Sequence, residues 1–131
     1  MVKEIEKSIL YVVHNMHFTS NQLAIFNILY NSPEPGLTLP EITSRMPETK
    51  QGTVVSGILS SLAQKVDELE SPGEKFGFTG YLLFIERFNG DLHKMRPEFR
   101  HVIDQHEALK KVMQIPQERI YQDYRDGIEL R

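Results

Sequence analysis

Cysteine is absent from the sequence, and so are long apolar runs. Without cysteine the chain has no disulfide, no thiolate zinc site and no thiol nucleophile, which fits a reducing compartment. No run approaches the ~20 apolar residues that a membrane-spanning helix needs. The first residues carry several charges and then only a short apolar run, unlike a signal peptide. We therefore expect a cytoplasmic protein with no membrane contact.

An excess of positive charge is also lacking. The 131 residues have a formal net charge of −3 and a pI of about 5.9, whereas a protein that coats nucleic acid is strongly basic. A local basic patch is still compatible with this total. The composition, 40% hydrophobic and 25% charged, is typical of a globular protein. We expect residues 1–131 to form a single domain that buries roughly two thirds of its unfolded surface.

Signatures of catalysis and of cofactor binding are missing. The five histidines do not form an HExxH pattern or another spacing that brings metal ligands together. No nucleophile-elbow glycine pattern surrounds a serine, and no glycine-rich phosphate loop occurs. We therefore expect no enzyme, with no catalytic residue, no metal ligand and no cofactor. The histidines are interpreted as surface or partly buried side chains.

Hydrophobic spacing predicts helices in the first part of the chain. Apolar residues recur at helical intervals and predict an amphipathic helix over about 3–17. Thr19 or Ser20 is placed to cap a second helix, which ends at the turn-forming residues 31–36. A short extended segment follows, and then a very short helix that Pro40 opens.

The second half of the chain combines a hairpin with further helices. Tyr81–Ile85 is rich in aromatic and aliphatic residues and predicts a strand. Asn89-Gly90 is a strong hairpin signal, so Leu92–Met95 is expected to be the returning strand. Residues 97–115, between two prolines, predict one helix, and residues 117–131 predict a last helix or an arm.

The order of these elements resembles a known superfamily. The residues that carry the resemblance are Leu37–Ile42 (LTLPEI), Thr53–Leu62 (TVVSGILSSL) and the hairpin at 81–95. In this order they resemble the winged helix-turn-helix superfamily over about residues 19–112. The resemblance implies a mainly α fold with a small β-hairpin, and a DNA-binding function in which TVVSGILSSL begins the recognition helix. Residues 67–80 depart from the pattern, because the step into the hairpin is longer than usual.

The long helix, predicted from about residue 51 to near Leu69, has two different faces. Its core stripe consists of Val55, Leu59, Leu62, Val66 and Leu69. The opposite face has almost no charge and comprises Lys50, Thr53, Gly57, Ser60, Ser61 and Gln64, flanked by Val54, Ser56 and Lys65. A glycine inside a helix costs roughly 1 kcal/mol relative to alanine. Two explanations of Gly57 stand side by side: close approach to a DNA groove, or tight contact with another helix of the same fold.

Basic residues gather near the predicted turn and hairpin. Arg45 and Lys50 flank the turn before the long helix, and residues 87–101 contain four basic and two acidic residues, a surplus of +2. Phosphate contacts dominate DNA affinity. The predicted DNA-binding residues are Arg45, Lys50, Thr53, Ser56, Gly57, Ser60, Gln64, Arg87, Asn89, His93 and Lys94.

An acidic run interrupts this pattern. Residues 67–74 contain four acidic residues and no basic one, and the next basic residue is Lys75. The acidic residues are Asp67, Glu68, Glu70 and Glu74. Such a run would repel phosphate if it faced DNA. We interpret it as a solvated loop.

The two ends of the chain lie outside the winged-helix resemblance. The helix at about 3–17 and the segment 113–131 both carry apolar stripes. Proteins of the resembled superfamily commonly pair through such terminal helices, and a homodimer would present two reading helices to a two-fold site. The alternative is that both elements pack back on their own domain.

Two functions from different classes follow. The first is a sequence-specific duplex-DNA-binding protein that acts as a homodimeric transcriptional regulator. The second is a winged-helix protein-interaction module, an adaptor or an inhibitor of another complex, which does not bind DNA. The negative net charge and the neutral helix face favour the second.

Overall fold

The structure, a computed structural model, describes residues 2–70 and 75–130, with side chains from residue 5 onward. Within these residues the chain is mostly helical, with two small antiparallel strand pairs. The helices are α1 Val2–Asn15, α2 Ser20–Tyr30, α3 Leu39–Ser44, α4 Val55–Leu69, α5 Pro97–Asp104, α6 Glu107–Met113 and α7 Gln117–Asp123. The strands are β1 His17–Phe18, β2 Ile85–Phe88, β3 Leu92–Met95 and β4 Ile128–Glu129; β1 pairs with β4, and β2 pairs with β3.

Threonine caps fix the starts of α2 and α3. The Thr19 hydroxyl accepts a hydrogen bond from the Gln22 backbone N–H, and the Gln22 side chain accepts one from the Thr19 N–H. Thr38 and Glu41 form the same reciprocal pair at α3. Hydrogen bonding to the Glu41 carboxylate, first from the Thr38 backbone N–H and then from the Thr38 side chain, holds the pKa of Glu41 below its ordinary value. Such capping boxes satisfy two helix donors at once. Helix α2 starts at the predicted cap, whereas α3 starts at Leu39, one residue before the predicted Pro40.

Helix α2 is the centre of the fold. Almost its whole surface is buried, and it contacts α3, α4, α6, α7 and β3. The Phe26 ring lies 5.8 Å from Phe18, 5.5 Å from Phe84 and 5.0 Å from Phe99, measured between ring centroids. Edge-to-face and tilted aromatic pairs at this spacing are favourable. The other elements are thus arranged around one helix, and α4 has only one face left for solvent.

The inner stripe of α4 is buried as the sequence predicts. Val55, Leu59, Leu62 and Val66 are each at most 3% exposed. On the adjoining side the chain returns against α4 at Gly80, where an added Cβ would lie 3.0 Å from the Ala63 Cβ. Gly80 also has φ of +56°, which disfavours a side chain. The close approach lets the segment after α4 dock tightly and leads the chain into the hairpin.

The hairpin begins later than the sequence predicts. Residues 80–83 form a 3₁₀ turn, so the predicted strand Tyr81–Ile85 is wrong except for its last residue. A 3₁₀ turn places Leu83 and Phe84 in the core one after the other, which an alternating strand cannot do. The turn itself is confirmed: Asn89 has φ of +48° and Gly90 has φ of +86°.

A short extended segment adds to the hairpin. The Leu37 N–H donates to the His93 carbonyl at 2.8 Å, and the His93 N–H donates to the Leu37 carbonyl at 2.7 Å. Leu37 lies between α2 and α3, so this antiparallel pairing ties the α3–α4 helix pair to β3. The pairing joins β3 to the segment between α2 and α3, and β3 also packs against α2.

The single helix predicted over residues 97–115 is wrong. The structure has two helices, α5 and α6, separated at Gln105 and His106. A ring nitrogen of His106 accepts a hydrogen bond from the Leu109 N–H at 3.5 Å and so caps α6. The break redirects α6 toward α2, where the Asn27 amide donates to the carbonyls of Val112 and Ile115 at 2.9 and 3.0 Å.

Both terminal elements pack on their own domain. The apolar stripe of α1 is buried against the rest of the chain, and Ile120 of α7 is fully buried. Strand β4 brings Leu130 to the core, and the Leu130 carbonyl lies 2.7 Å from the His14 ring nitrogen. The buried residues of both stripes are therefore covered within one chain.

Candidate nucleic-acid interface

One side of α4 is exposed and has no role in the packing of this chain. It comprises Val54, Ser56, Gly57, Ser60, Ser61 and Gln64, which we call the α4 face. Within the described residues, no hydrogen bond, ion pair or ring contact involves its polar side chains. Three hydroxyls and one amide thus point to solvent with their donors and acceptors free. Groups of this kind recognise base edges in DNA, and they equally serve a polar protein interface.

Gly57 is not explained by packing within the chain. A Cβ added there would meet only the Val54 side chain, at 3.9 and 4.0 Å, which is ordinary van der Waals contact. The explanation by tight contact with another helix of the same fold is therefore wrong for the described residues. Nothing in the described part of the fold requires a glycine at position 57.

Val54 stands out on the α4 face. It is the N-cap of α4 but supplies no side-chain cap, and 66% of its surface is exposed. Within the described residues only Leu10, at 41%, is another exposed large hydrophobic side chain. The predicted start of the helix, at about residue 51, is thus too early by four residues. Thr53, predicted to contact DNA, is half-buried in the turn before α4.

The two cations of the turn already have partners. Arg45 is exposed at the end of α3, and its guanidinium donates to the Ser32 hydroxyl. Lys50 is half-buried with its Nζ 4.8 Å from the centre of the Tyr121 ring. The Tyr121 hydroxyl donates to the Asn21 side chain at 2.7 Å, and burial raises the pKa of Tyr121 to about 12. Lys50 therefore contacts α7 as well as facing solvent.

Of the hairpin residues predicted to contact DNA, some are exposed, and others are buried or already paired within the chain. Arg87 and Asn89 are exposed, and the Arg87 Nε donates to the Gly90 carbonyl at 3.2 Å. Lys94 is paired with Glu34 at 2.9 Å, which neutralises its charge. His93 is only 2% exposed, and burial lowers its pKa below the ordinary value. His93 cannot reach DNA, because its side chain lies inside the hairpin and against Leu37.

The other cations of residues 87–101 support the fold. The Arg96 guanidinium donates from Nε and Nη2 to the Leu82 carbonyl at 3.0 and 2.8 Å and lies 3.7 Å from the centre of the Phe78 ring. Arg100 donates to the Tyr30 carbonyl at 2.9 Å. Of the four basic residues in this segment, Arg87 alone is exposed without an acidic or buried partner. The positive charge that the hairpin offers to a partner is therefore smaller than the count of basic residues in the sequence predicts.

Part of the acidic run is structural. Asp67 accepts a hydrogen bond from the Gly80 N–H at 3.0 Å, and Glu70 accepts one from the Phe76 N–H at 2.7 Å. These bonds tie the segment after residue 74 to the end of α4. Asp67 and Glu68 belong to α4, so the interpretation as a solvated loop is incorrect for them, and Glu70, which follows the helix, uses its carboxylate within the fold. Residues 71–74, which include Glu74, lie outside the described part of the chain.

Other kinds of site are not apparent in the described chain. An open cleft beside the α5–α6 break is lined by Gln105, His106, Glu107, Ala108 and Lys111. Among the residues that the structure describes, no three histidine, aspartate or glutamate side chains converge as metal ligands. Over the same residues, every helix is too short or too polar to cross a bilayer. The α4 face remains the best-defined candidate surface.

Comparisons with family models, with curated proteins and with solved structures give no match. What the chain does must be inferred from its own residues. Two members of the α4 face, Val54 and Ser61, were not among the predicted contacts. The sequence holds a signal for Val54, since it is an apolar residue directly before a helix that lacks a polar cap.

Proposed function

We propose that this protein is a winged-helix protein that binds duplex DNA in the cytoplasm as a transcriptional regulator. Support comes from the order α2, Leu37 segment, α3, α4 and hairpin, with Leu37 paired to β3. The observation that carries the proposal is the exposed α4 face, where Gly57 has no neighbour closer than 3.9 Å. A homodimer on a two-fold site is part of the proposal, but its interface would lie outside the buried stripes of α1 and α7.

In this proposal α4 enters the major groove. Ser56, Ser60 and Gln64 provide hydroxyl and amide groups for base edges, and Gly57 lets the helix backbone approach closely. Arg45 and Lys50 reach phosphates on one side of α4. Arg87 and Asn89, at the hairpin, contact phosphates on another side of α4.

The small number of cations that have no acidic partner sets the expected salt dependence. Three phosphate contacts per chain, from Arg45, Lys50 and Arg87, correspond to a slope of about −2.7 in log K against log salt. Between 50 and 200 mM salt the affinity should then fall about 40-fold per chain. A basic DNA-binding protein with many contacts would lose far more. The shallow slope is a distinctive expectation of this surface.

The test is retention of a random duplex pool at low and moderate salt, followed by sequencing of the bound fraction. Arg87→Ala should weaken all sequences alike and reduce the salt slope by about one. Gln64→Ala should change the preferred sequences instead. Lys111→Ala, an exposed cation on α6, is the matched control and should leave both unchanged. Absence of any retention at low salt would rule out the proposal.

A second candidate, a protein-interaction module, is favoured by the charge distribution. Lys94 is neutralised by Glu34, Arg96 is 7% exposed, and the chain as a whole carries −3. No continuous positive band therefore connects the turn to the hairpin. Recovery of one stoichiometric protein partner that survives nuclease treatment, and that is lost in the Gly57→Arg variant, would support this function over DNA binding.

A further inference from the structure

We infer that Val54 recognises the 5-methyl group of thymine in the major groove. The inference rests on the proposed DNA-binding function and makes it specific: the target site would contain a thymine opposite the start of α4. It concerns one residue of the α4 face, and DNA binding as such does not depend on it.

Val54 occupies a position where a polar residue would suit this chain better. N-cap positions favour serine, threonine, aspartate or asparagine, whose side chains bond the free N–H groups of the first turn. Both α2 and α3 have such caps, at Thr19 and Thr38, whereas α4 has none. Val54 is also 66% exposed. A residue that is unfavourable for both the helix start and solvation is typical of a functional position.

Gly57 keeps the Val54 side chain uncovered. A Cβ at position 57 would lie 3.9 Å from the Val54 Cβ and 4.0 Å from its Cγ1. Any longer side chain there would lean over the valine methyl groups, because side chains three positions apart on a helix are neighbours. Val54 is β-branched and therefore stiff. Together the two residues present one exposed apolar side chain of fixed orientation, that of Val54, beside the open space at Gly57.

The surroundings of Val54 fit a base edge better than a protein. The other side chains of the α4 face are polar, and Val54 is its one exposed large apolar residue. The core of a protein interface brings several apolar and aromatic residues together. In the major groove, thymine alone presents a methyl group, next to hydrogen-bonding atoms of its own and neighbouring bases. The first residues of a recognition helix are the ones that reach base edges.

The test replaces thymine by deoxyuridine, which removes the methyl group and keeps the hydrogen-bonding atoms. Duplexes enriched from the random pool are resynthesised with one substitution at a time. At one or two positions the wild-type chain should bind the deoxyuridine duplex about 3- to 5-fold more weakly, the change expected when about one methyl group leaves an apolar contact. Val54→Ala should bind the two duplexes equally.

Two further variants separate this effect from changes in folding. Val54→Thr keeps one methyl group and supplies a polar cap, so it should retain part of the thymine preference in a chain at least as stable as the wild type. Leu10→Ala removes the other exposed large hydrophobic side chain, on α1, and should keep the full preference. A thymine preference that changes equally in Val54→Thr and Leu10→Ala would overturn the assignment to Val54.

The other outcomes distinguish failure of the thymine contact from failure of DNA binding. Equal binding of thymine and deoxyuridine duplexes at every position would overturn the inference and leave DNA binding intact. A thymine preference that persists in Val54→Ala would do the same. Failure to bind any duplex would remove the proposed function and this inference with it. Nuclease-resistant capture of a protein that depends on Val54 would assign this side chain to a protein partner and overturn the thymine contact.

Discussion

Replacement of Gly57 by alanine should separate the stability of this protein from its binding. Gly57 is the third residue of α4, in its first turn, where the gain from alanine is at most that of a helix interior, and an added Cβ would make only ordinary contacts, at 3.9 Å or more, with Val54. The folded chain can therefore accept the methyl group without rearrangement. An alanine in a helix interior is more favourable than glycine by roughly 0.8–1.0 kcal/mol. We expect the Gly57→Ala protein to be more stable than the wild type by up to about 1 kcal/mol.

The thermal shift follows from the size of the chain. An unfolding entropy of about 2.1 cal/mol/K per residue gives roughly 275 cal/mol/K for 131 residues. A gain of about 1 kcal/mol then raises Tm by about 4 °C. Gly52→Ala is a control for this measurement, because Gly52 lies in the turn before α4 and an added Cβ there meets nothing within 4 Å. Outside a helix the gain should be about 0.4–1 kcal/mol.

The effect on binding should have the opposite sign. If a DNA groove approaches Gly57 closely, an extra methyl group in that contact costs about 1–3 kcal/mol, as overpacking does in protein cores. That range corresponds to an affinity about 5- to 150-fold weaker. The assays are calorimetric or optical melting of both variants and duplex binding at 50 mM salt. A less stable Gly57→Ala protein would refute the packing argument, and unchanged binding would refute close approach at Gly57.

The remaining predictions concern the core and its titration. Asn27→Ala should destabilise the fold by about 2–4 kcal/mol, since it leaves buried carbonyls at the end of α6 without donors; a loss under 1 kcal/mol in urea unfolding would contradict this. Arg96→Met should lower stability by about 2 kcal/mol through two lost hydrogen bonds to a backbone carbonyl, whereas Arg87→Met should change it by less than about 0.5 kcal/mol. Burial lowers the pKa of His93, so the unfolded chain binds its proton first, and the stability present above about pH 6.5 should decline as the pH falls below it. His93→Gln should flatten this decline, and an identical pH profile in the two proteins would exclude His93 as its source.

The features that the sequence predicts correctly depend on neighbours in the chain. Thr19 caps α2 and lies three residues from the donor that it satisfies, and the Asn89-Gly90 turn is determined by its own backbone preferences. The core stripe of α4 follows from a single helical period. The mainly helical architecture with a small hairpin is a sum of such local signals, and it could be predicted for that reason.

The features that were missed depend on partners distant in the chain. Lys94 pairs with Glu34, 60 positions away, and a count of charges near the hairpin cannot reveal this. The pattern from Pro97 to Val112 runs across the break between α5 and α6 without a visible interruption, because Ile103, His106 and Leu109 follow one another at intervals of three residues. His93 resembles a surface cation in the sequence and becomes buried only through the Leu37 pairing. Tertiary contacts decide each of these cases.

The distribution of charge has a consequence for the affinity that a DNA target would show. Arg96 and Arg100 donate hydrogen bonds to backbone carbonyls, and Lys94 is paired with the Glu34 carboxylate. Little positive charge therefore remains for contacts with phosphate. Non-specific binding to DNA is almost wholly electrostatic, whereas base contacts are what distinguish sequences. A surface with few free cations and a polar, uncharged α4 face should therefore bind random DNA weakly and gain a large part of its affinity at the correct site. Successive rounds of selection should then enrich a narrow set of sequences, while the unselected pool is retained only at low salt.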